Sequence, residues 1–185
     1  MGIILLVGPK HSGKTSAGRA LAGVCAGGFA DLDEIIEERS GKSPRALYRE
    51  GSGVFRKAEA EALKALLERG MADGKILAAA AGGGLIDNGE ALALLEKQSG
   101  VTVVYLDVSA ETAWKRICLS AETGGLPPFL DTANPEETHR LLHTGRAAAY
   151  RKFAGLIVNA ENKSPEDIAS GIVKILDMFS NPGSY

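Results

Sequence analysis

Cysteine is scarce: Cys25 and Cys118 are the only two, far apart and outside any CxxC spacing. That excludes a disulfide-stapled scaffold and a paired-thiol motif, and it predicts two reduced, semi-buried thiols in a cytosolic protein. Aromatic residues make up only 5% of the chain, and the single tryptophan, Trp114, reads as a packing residue. Neither sign of charge dominates, since 21 Lys and Arg face 23 Asp and Glu for a formal charge of -2. No nucleic-acid footprint or acidic tail follows, and the expected partner is a small molecule. Long apolar runs are missing as well. The first, Ile3 to Val7, stops after five residues in a glycine loop, so it reads as a buried strand, not as a signal peptide or membrane span. Leu6 stands where a myristoylation motif wants Ser or Thr.

The 185 residues suffice for one compact domain with a full core, and one domain over 1–185 is expected. Further apolar runs at Ile76 to Ala81, Val101 to Val108 and Gly155 to Ala160 alternate with helical stretches near Glu59 to Glu68 and Glu90 to Gln98. Ser164, followed by Pro165, marks the start of a last helix. Strands separated by helices predict a three-layer α/β/α fold around a parallel sheet of about five strands, because parallel neighbours need long crossovers. Two segments break the rhythm. Residues 33–67 form a helical insertion interrupted at "SGKSP" and "EGSG", and residues 119–134 form an irregular, mobile lid-like loop rich in Gly and Pro. Insertions of this kind commonly carry substrate sites.

The chemistry begins at "GPKHSGKT". Gly8, Gly13, Lys14 and Thr15 meet the phosphate-loop spacing, directly behind a strand and ahead of a helix. In such a loop, formed here by Gly8, Pro9, Lys10, His11, Ser12, Gly13, Lys14, Thr15 and Ser16, backbone N–H groups point at an anion. Lys14 would meet the β- and γ-phosphates of ATP and Thr15 would ligate Mg²⁺. Asp31 and Asp33 follow at the expected end of a second strand, where residues two apart share a face and look toward one crevice. One carboxylate could hold the metal through water and the other orient or deprotonate an attacking hydroxyl, unless Asp33 merely caps the next helix. Arg56 and Arg146 can grip a carboxylate through charge-assisted bonds, and Gly82, Gly83 and Gly84 offer bare backbone for close approach of a ligand. His139 and His143 fall four apart but lack the Glu of a zinc-binding HExxH, so they read as ordinary helix-surface histidines.

Together "GPKHSGKT" with Gly18 and Arg19, "DLDEIIEERSGKSP", "GSGVFRKAE", "GGG" and "GRAAAYRKFA" resemble the shikimate kinase family over nearly the whole chain. The resemblance implies a cytoplasmic, monomeric enzyme that transfers the γ-phosphoryl of ATP to the 3-hydroxyl of shikimate with Mg²⁺, on the route to aromatic amino acids. It implies Lys14 and Thr15 on ATP and Mg²⁺, Asp31 assisting the metal, and Asp33 on the substrate hydroxyls as base. It implies Arg56, Arg146 and Gly83, with its neighbours Gly82 and Gly84, on shikimate. The chain departs from the family pattern at His11, where glycine is usual, at Ser52 and Ala148, and most of all at Pro127, in the place of a lid arginine. No Lys or Arg occurs between Ile117 and Thr138. Arg116 and Arg140 flanking the lid, Lys10, or a residue of another subunit could substitute. Two alternatives stay open: a kinase for another small hydroxy acid, and a nucleotide-binding relative with weak or no phosphoryl transfer.

Overall fold

A computed structural model of the chain describes residues 2–72 and 75–180. The apolar run Ile3–Val7 forms β1, with every residue buried, as a strand covered on both faces requires. Its side chains alternate: Ile3, Leu5 and Val7 enter one core cluster, Ile4 and Leu6 the other. The remaining strands are β2 (Gly28–Asp31), β3 (Leu77–Ala80), β4 (Val101–Asp107) and β5 (Leu156–Asn159). They pair in parallel in the order β2-β3-β1-β4-β5. The expected five-stranded parallel sheet is therefore present, with chain crossovers supplied by helices.

Helix α1 (Lys14–Val24) and α8 (Pro165–Ser180) pack on one face of the sheet. On the other lie α2 (Leu32–Ser40), α4 (Ser52–Ala72), α5 (Gly89–Glu96) and α7 (Pro135–Phe153), joined by α3 (Pro44–Glu50) through Leu47. Local sequence sets most helix starts. Ser43 Oγ accepts from Ala46 N, Asn88 Oδ1 from Ala91 N and Asn134 Oδ1 from Glu137 N, and Ser164 Oγ accepts from Asp167 N as expected. Helix α6 (Ala110–Gly124), capped by Ser109, runs further than the sequence suggested. The irregular part of the lid is thus residues 125–134, beginning at Gly125 with φ 67 and containing one 3-10 turn at Pro128–Leu130. No helix among the described residues is long and apolar enough to cross a membrane. Both cysteines are free thiols; Cys25 is half-buried, whereas Cys118 is exposed on α6 and not semi-buried as expected.

Candidate active site

The carboxyl ends of β1, β2 and β3 open into a cavity of about 750 Å³, as crevices of open α/β sheets do. The loop between β1 and α1 forms one wall. Ser12 N–H donates to Pro9 O (3.2 Å), tightening the turn, and Gly13 at the head of α1 has φ 94 and leaves the helix without a side-chain cap. An uncapped helix start with its first N–H groups directed outward is an anion site. Lys14 is buried, with Nζ donating to Gly8 O (3.1 Å) and Pro9 O (2.8 Å). Burial pushes its ammonium down to about 8, the nearby Asp33 carboxylate opposing the shift. A cation so costly to desolvate is held ready for an anionic ligand.

Thr15 Oγ1 donates to Asp31 Oδ2 at 2.8 Å, so a hydroxyl and a carboxylate already sit together beside the cradle. This oxygen pair fits a hard divalent cation such as Mg²⁺. The two aspartates do not, however, share one strand face. Asp31 ends β2 and is itself the N-cap of α2, its Oδ1 accepting from Asp33 N (3.0 Å), while Asp33 stands in the first helical turn. Turning the chain into a helix at Leu32 swings Asp33 onto the cavity wall beside Asp31, so both line the same space by a different route. Protein walls around the Asp33 carboxylate, and then the charge of Asp31, push its proton affinity upward.

After β3, the triple glycine packs against the loop. A Cβ on Gly83 would lie 2.9 Å from Lys10 N, and one on Gly82 would lie 3.1 Å from Glu59 Oε1 and 3.5 Å from Asp33 Oδ1. From α7, Arg146 lines the cavity with Nε and Nη2 on Asp87 Oδ2 (2.8 and 2.7 Å) and its guanidinium over Phe129 at 5.5 Å. One turn on, Tyr150 is buried, accepts from Ile86 N (3.2 Å) and stacks on Tyr105. Arg56 is not brought into this space: it is exposed on α4 and does not line the cavity.

Of the cations proposed to replace a lid arginine, Arg140 is engaged by Glu137 on the outside of α7. Lys10 and Arg116 both line the cavity, and Arg116 Nη1 donates to His11 O at 3.1 Å, tying α6 to the phosphate loop. His11 occupies the left-handed region at φ 60, a conformation that favours glycine, the residue expected at this position from the resemblance. Several site residues escaped the sequence reading. Arg45, from α3, lines the cavity and donates to Leu126 O (2.9 Å) in the lid. His139 and His143 are not surface residues: they are 5% and 8% exposed and line the cavity, His139 stacking on Trp114 and His143 packing edge-on against His139. Burial first, with neighbouring charge, pushes both imidazoles below the usual histidine range. Their burial was legible in retrospect, because positions 139, 143, 147 and 150 follow one helical face ending in Ala147 and Tyr150.

A phosphate loop feeding a helix, an acid at the end of the neighbouring strand and a walled chamber for a second reactant define a P-loop phosphotransferase. Within that class the chain belongs to the shikimate kinase family, whose model, "Shikimate kinase", matches residues 10–177. A shikimate kinase of Synechococcus sp. (strain CC9605) is 36% identical over 94% of this chain and 81% of its own length. One from Marinomonas sp. (strain MWYL1) is 33% identical over 94% and 90%. The solved structure of shikimate kinase from Acinetobacter baumannii in complex with shikimate superposes with a TM-score of 0.83 at 31% identity, covering 98% of this chain and 94% of that one.

Proposed function

We propose that this protein, as a single-domain, monomeric enzyme of the cytoplasm, phosphorylates the 3-hydroxyl of shikimate with ATP. The observation that carries the reading is the position of Asp33, on one wall with Asp31 and Lys14 and close to the bare backbone of Gly82. A hydroxyl held there can be deprotonated or oriented by Asp33 while facing the phosphate cradle. Lys14, the Gly8–Ser16 loop and Lys10 would hold the phosphates of ATP. Thr15 and Asp31 would hold Mg²⁺, directly or through water, and the ion would neutralise charge on the β- and γ-oxygens. Arg146 would receive the carboxylate of shikimate, supported by Gly83 and Gly84. Arg56 would join it through a rotamer change at its exposed site on α4. Arg116 and Lys10, which line the cavity, would offset charge on the transferring group, since the lid contributes no cation.

A coupled assay of ATP consumption with and without shikimate tests the proposal. Acceptor-dependent turnover is expected, and Asp33→Asn should lose at least about 10²-fold in kcat while retaining ATP binding, in the range of a lost general base. Turnover unchanged in Asp33→Asn would remove Asp33 from the chemistry. Turnover on another small hydroxy acid and none on shikimate would move the acceptor assignment without touching the phosphate site.

A further inference from the structure

Behind Gly82 lies a carboxyl group that the phosphoryl-transfer reading does not use. Glu59, on α4, is 1% exposed. Its Oε2 accepts from Asn88 Nδ2 at 2.9 Å, and the same amide donates to Arg56 O at 2.8 Å, clamping α4 to the head of α5. Its Oε1 has no hydrogen-bond partner among the described residues and faces the place where a side chain on Gly82 would begin. Asp33 Oδ1 flanks the same point from the cavity side. A buried carboxylate with one bare oxygen is strongly disfavoured, whereas a carboxylic acid satisfies Oε2 through Asn88 and needs only one acceptor for its proton.

The charged groups that act on Glu59 come from α2, the 3-10 turn after β3 and α7. Asp33 from α2 and Asp87 from the 3-10 turn after β3 oppose its ionisation, and Arg146 from α7 favours it. Tyr150, also from α7, lies within the same field and is held neutral by burial. The Asn88 amide is the main support for a charged Glu59; Arg146, already paired with Asp87, adds a weaker one, and it is also the cation that an anionic acceptor would engage. A carboxylate bound to Arg146 would weaken that contribution and add a further negative charge to the field around Glu59.

We propose that Glu59 is a proton-linked positioning residue of the acceptor site, taking up a proton from solvent at Oε1 when a carboxylate-bearing acceptor binds against Arg146. The inference rests on the acceptor reading given above. Burial behind the Gly82 backbone pushes Glu59 up to about 7, the Asn88 hydrogen bond opposing the shift, so the group is poised between its two forms near neutrality. Binding of the acceptor and of the proton are then reciprocal: each favours the other by the same factor. Affinity for the acceptor should fall as pH rises, because the proton must be captured from an increasingly dilute pool.

The decisive measurement is calorimetric binding of shikimate to the full chain at about pH 7.5 in buffers of different ionisation enthalpy, repeated from about pH 6 to pH 8.5. Wild type is expected to take up a net fraction of a proton. Its Kd should rise about fivefold or more across the range, the lower end of ordinary coupling factors. Glu59→Gln, which mimics the protonated acid, should bind without that uptake and with a flatter profile, separating Glu59 from Asp33 and His139. As a check that does not depend on the variant folding, difference infrared spectra of wild type should gain a protonated-carboxyl band on adding shikimate. Wild-type binding without proton uptake, or uptake persisting undiminished in Glu59→Gln, overturns the proposal. Absence of shikimate binding at every pH overturns the acceptor reading and this inference with it, whereas pH-independent binding overturns this inference alone.

Discussion

At position 11 the phosphate loop turns through φ 60 while carrying an imidazole, a conformation in which a non-glycine residue loses about 1 kcal/mol relative to its relaxed state. Arg116 donates to the His11 carbonyl and so holds the turn from outside the loop. Exchanging His11 for glycine should leave that carbonyl bond intact and relieve the strain, although the more flexible unfolded chain takes back part of the gain. His11→Gly is expected to raise the melting temperature by about 1–3 °C, and His11→Val, branched at Cβ, to lower it by more. Scanning calorimetry of the three proteins distinguishes these outcomes. The residues of the loop were legible because spacing alone defines the cradle, but its internal backbone geometry was not. Glu59 illustrates the opposite oversight. It fills a place in the stripe Phe55, Ala62, Leu63, Leu66 that faces the core, so the helical period placed it inward while its charge argued for solvent. The same helix leaves Arg56 exposed, which the motif alone could not indicate.

Elements were legible wherever a cap or a glycine punctuated the chain. Ser164 stands at a helix start and the breaks at "SGKSP" and "EGSG" separate α2, α3 and α4 as expected, while Ser43, Asn88, Ser109 and Asn134 cap further helix starts that the same signal marks but that escaped the sequence reading. The lid boundary was displaced because residues 119–122 are as competent in a helix as in a loop, and only Gly125, in a positive-φ conformation, ends α6. Long-range contacts between elements had no sequence signal at all. Arg45 is the clearest case: it reaches from α3 to the Leu126 carbonyl in the lid, 81 residues away, while lining the cavity. The bond is made to backbone, so it does not depend on which side chains the lid carries. It couples the helical insertion to the lid directly. Arg45→Ala should therefore raise the KM for acceptor by about 5- to 50-fold, the span of a lost charge-assisted hydrogen bond with its packing, with a smaller effect on kcat. Arg45→Lys should recover part of the loss. Steady-state kinetics that showed a fall in kcat with KM unchanged would place Arg45 at the chemistry instead of at the latch.

Over the whole molecule, buried titratable groups pull stability in opposite directions with pH. His11, His139 and His143 hold their protons less tightly when folded than the usual 6.5. Between the folded values and 6.5 the unfolded chain binds more protons, so their contribution is intact above 6.5 and is lost as pH falls through the folded values. Glu59 behaves inversely. Its folded carboxyl titrates near 7 against 4.5 when unfolded, so the folded chain binds the extra proton in that window and stability is lost as pH rises from 4.5 through 7. Asp33, shifted upward mainly by burial, adds to the same side. A polar core around the cavity thus limits the fold from both ends of the neutral range. The two limits belong to different residues and can be separated. Glu59→Gln should raise the melting temperature relative to wild type at about pH 8 and change it little at about pH 5. His143→Leu removes an imidazole whose proton affinity burial lowers in the folded chain, so its gain should be larger at about pH 5 and shrink toward pH 8. Thermal denaturation of the three proteins at both pH values checks the pattern, and equal shifts at the two pH values would show that packing, not protonation, governs both positions.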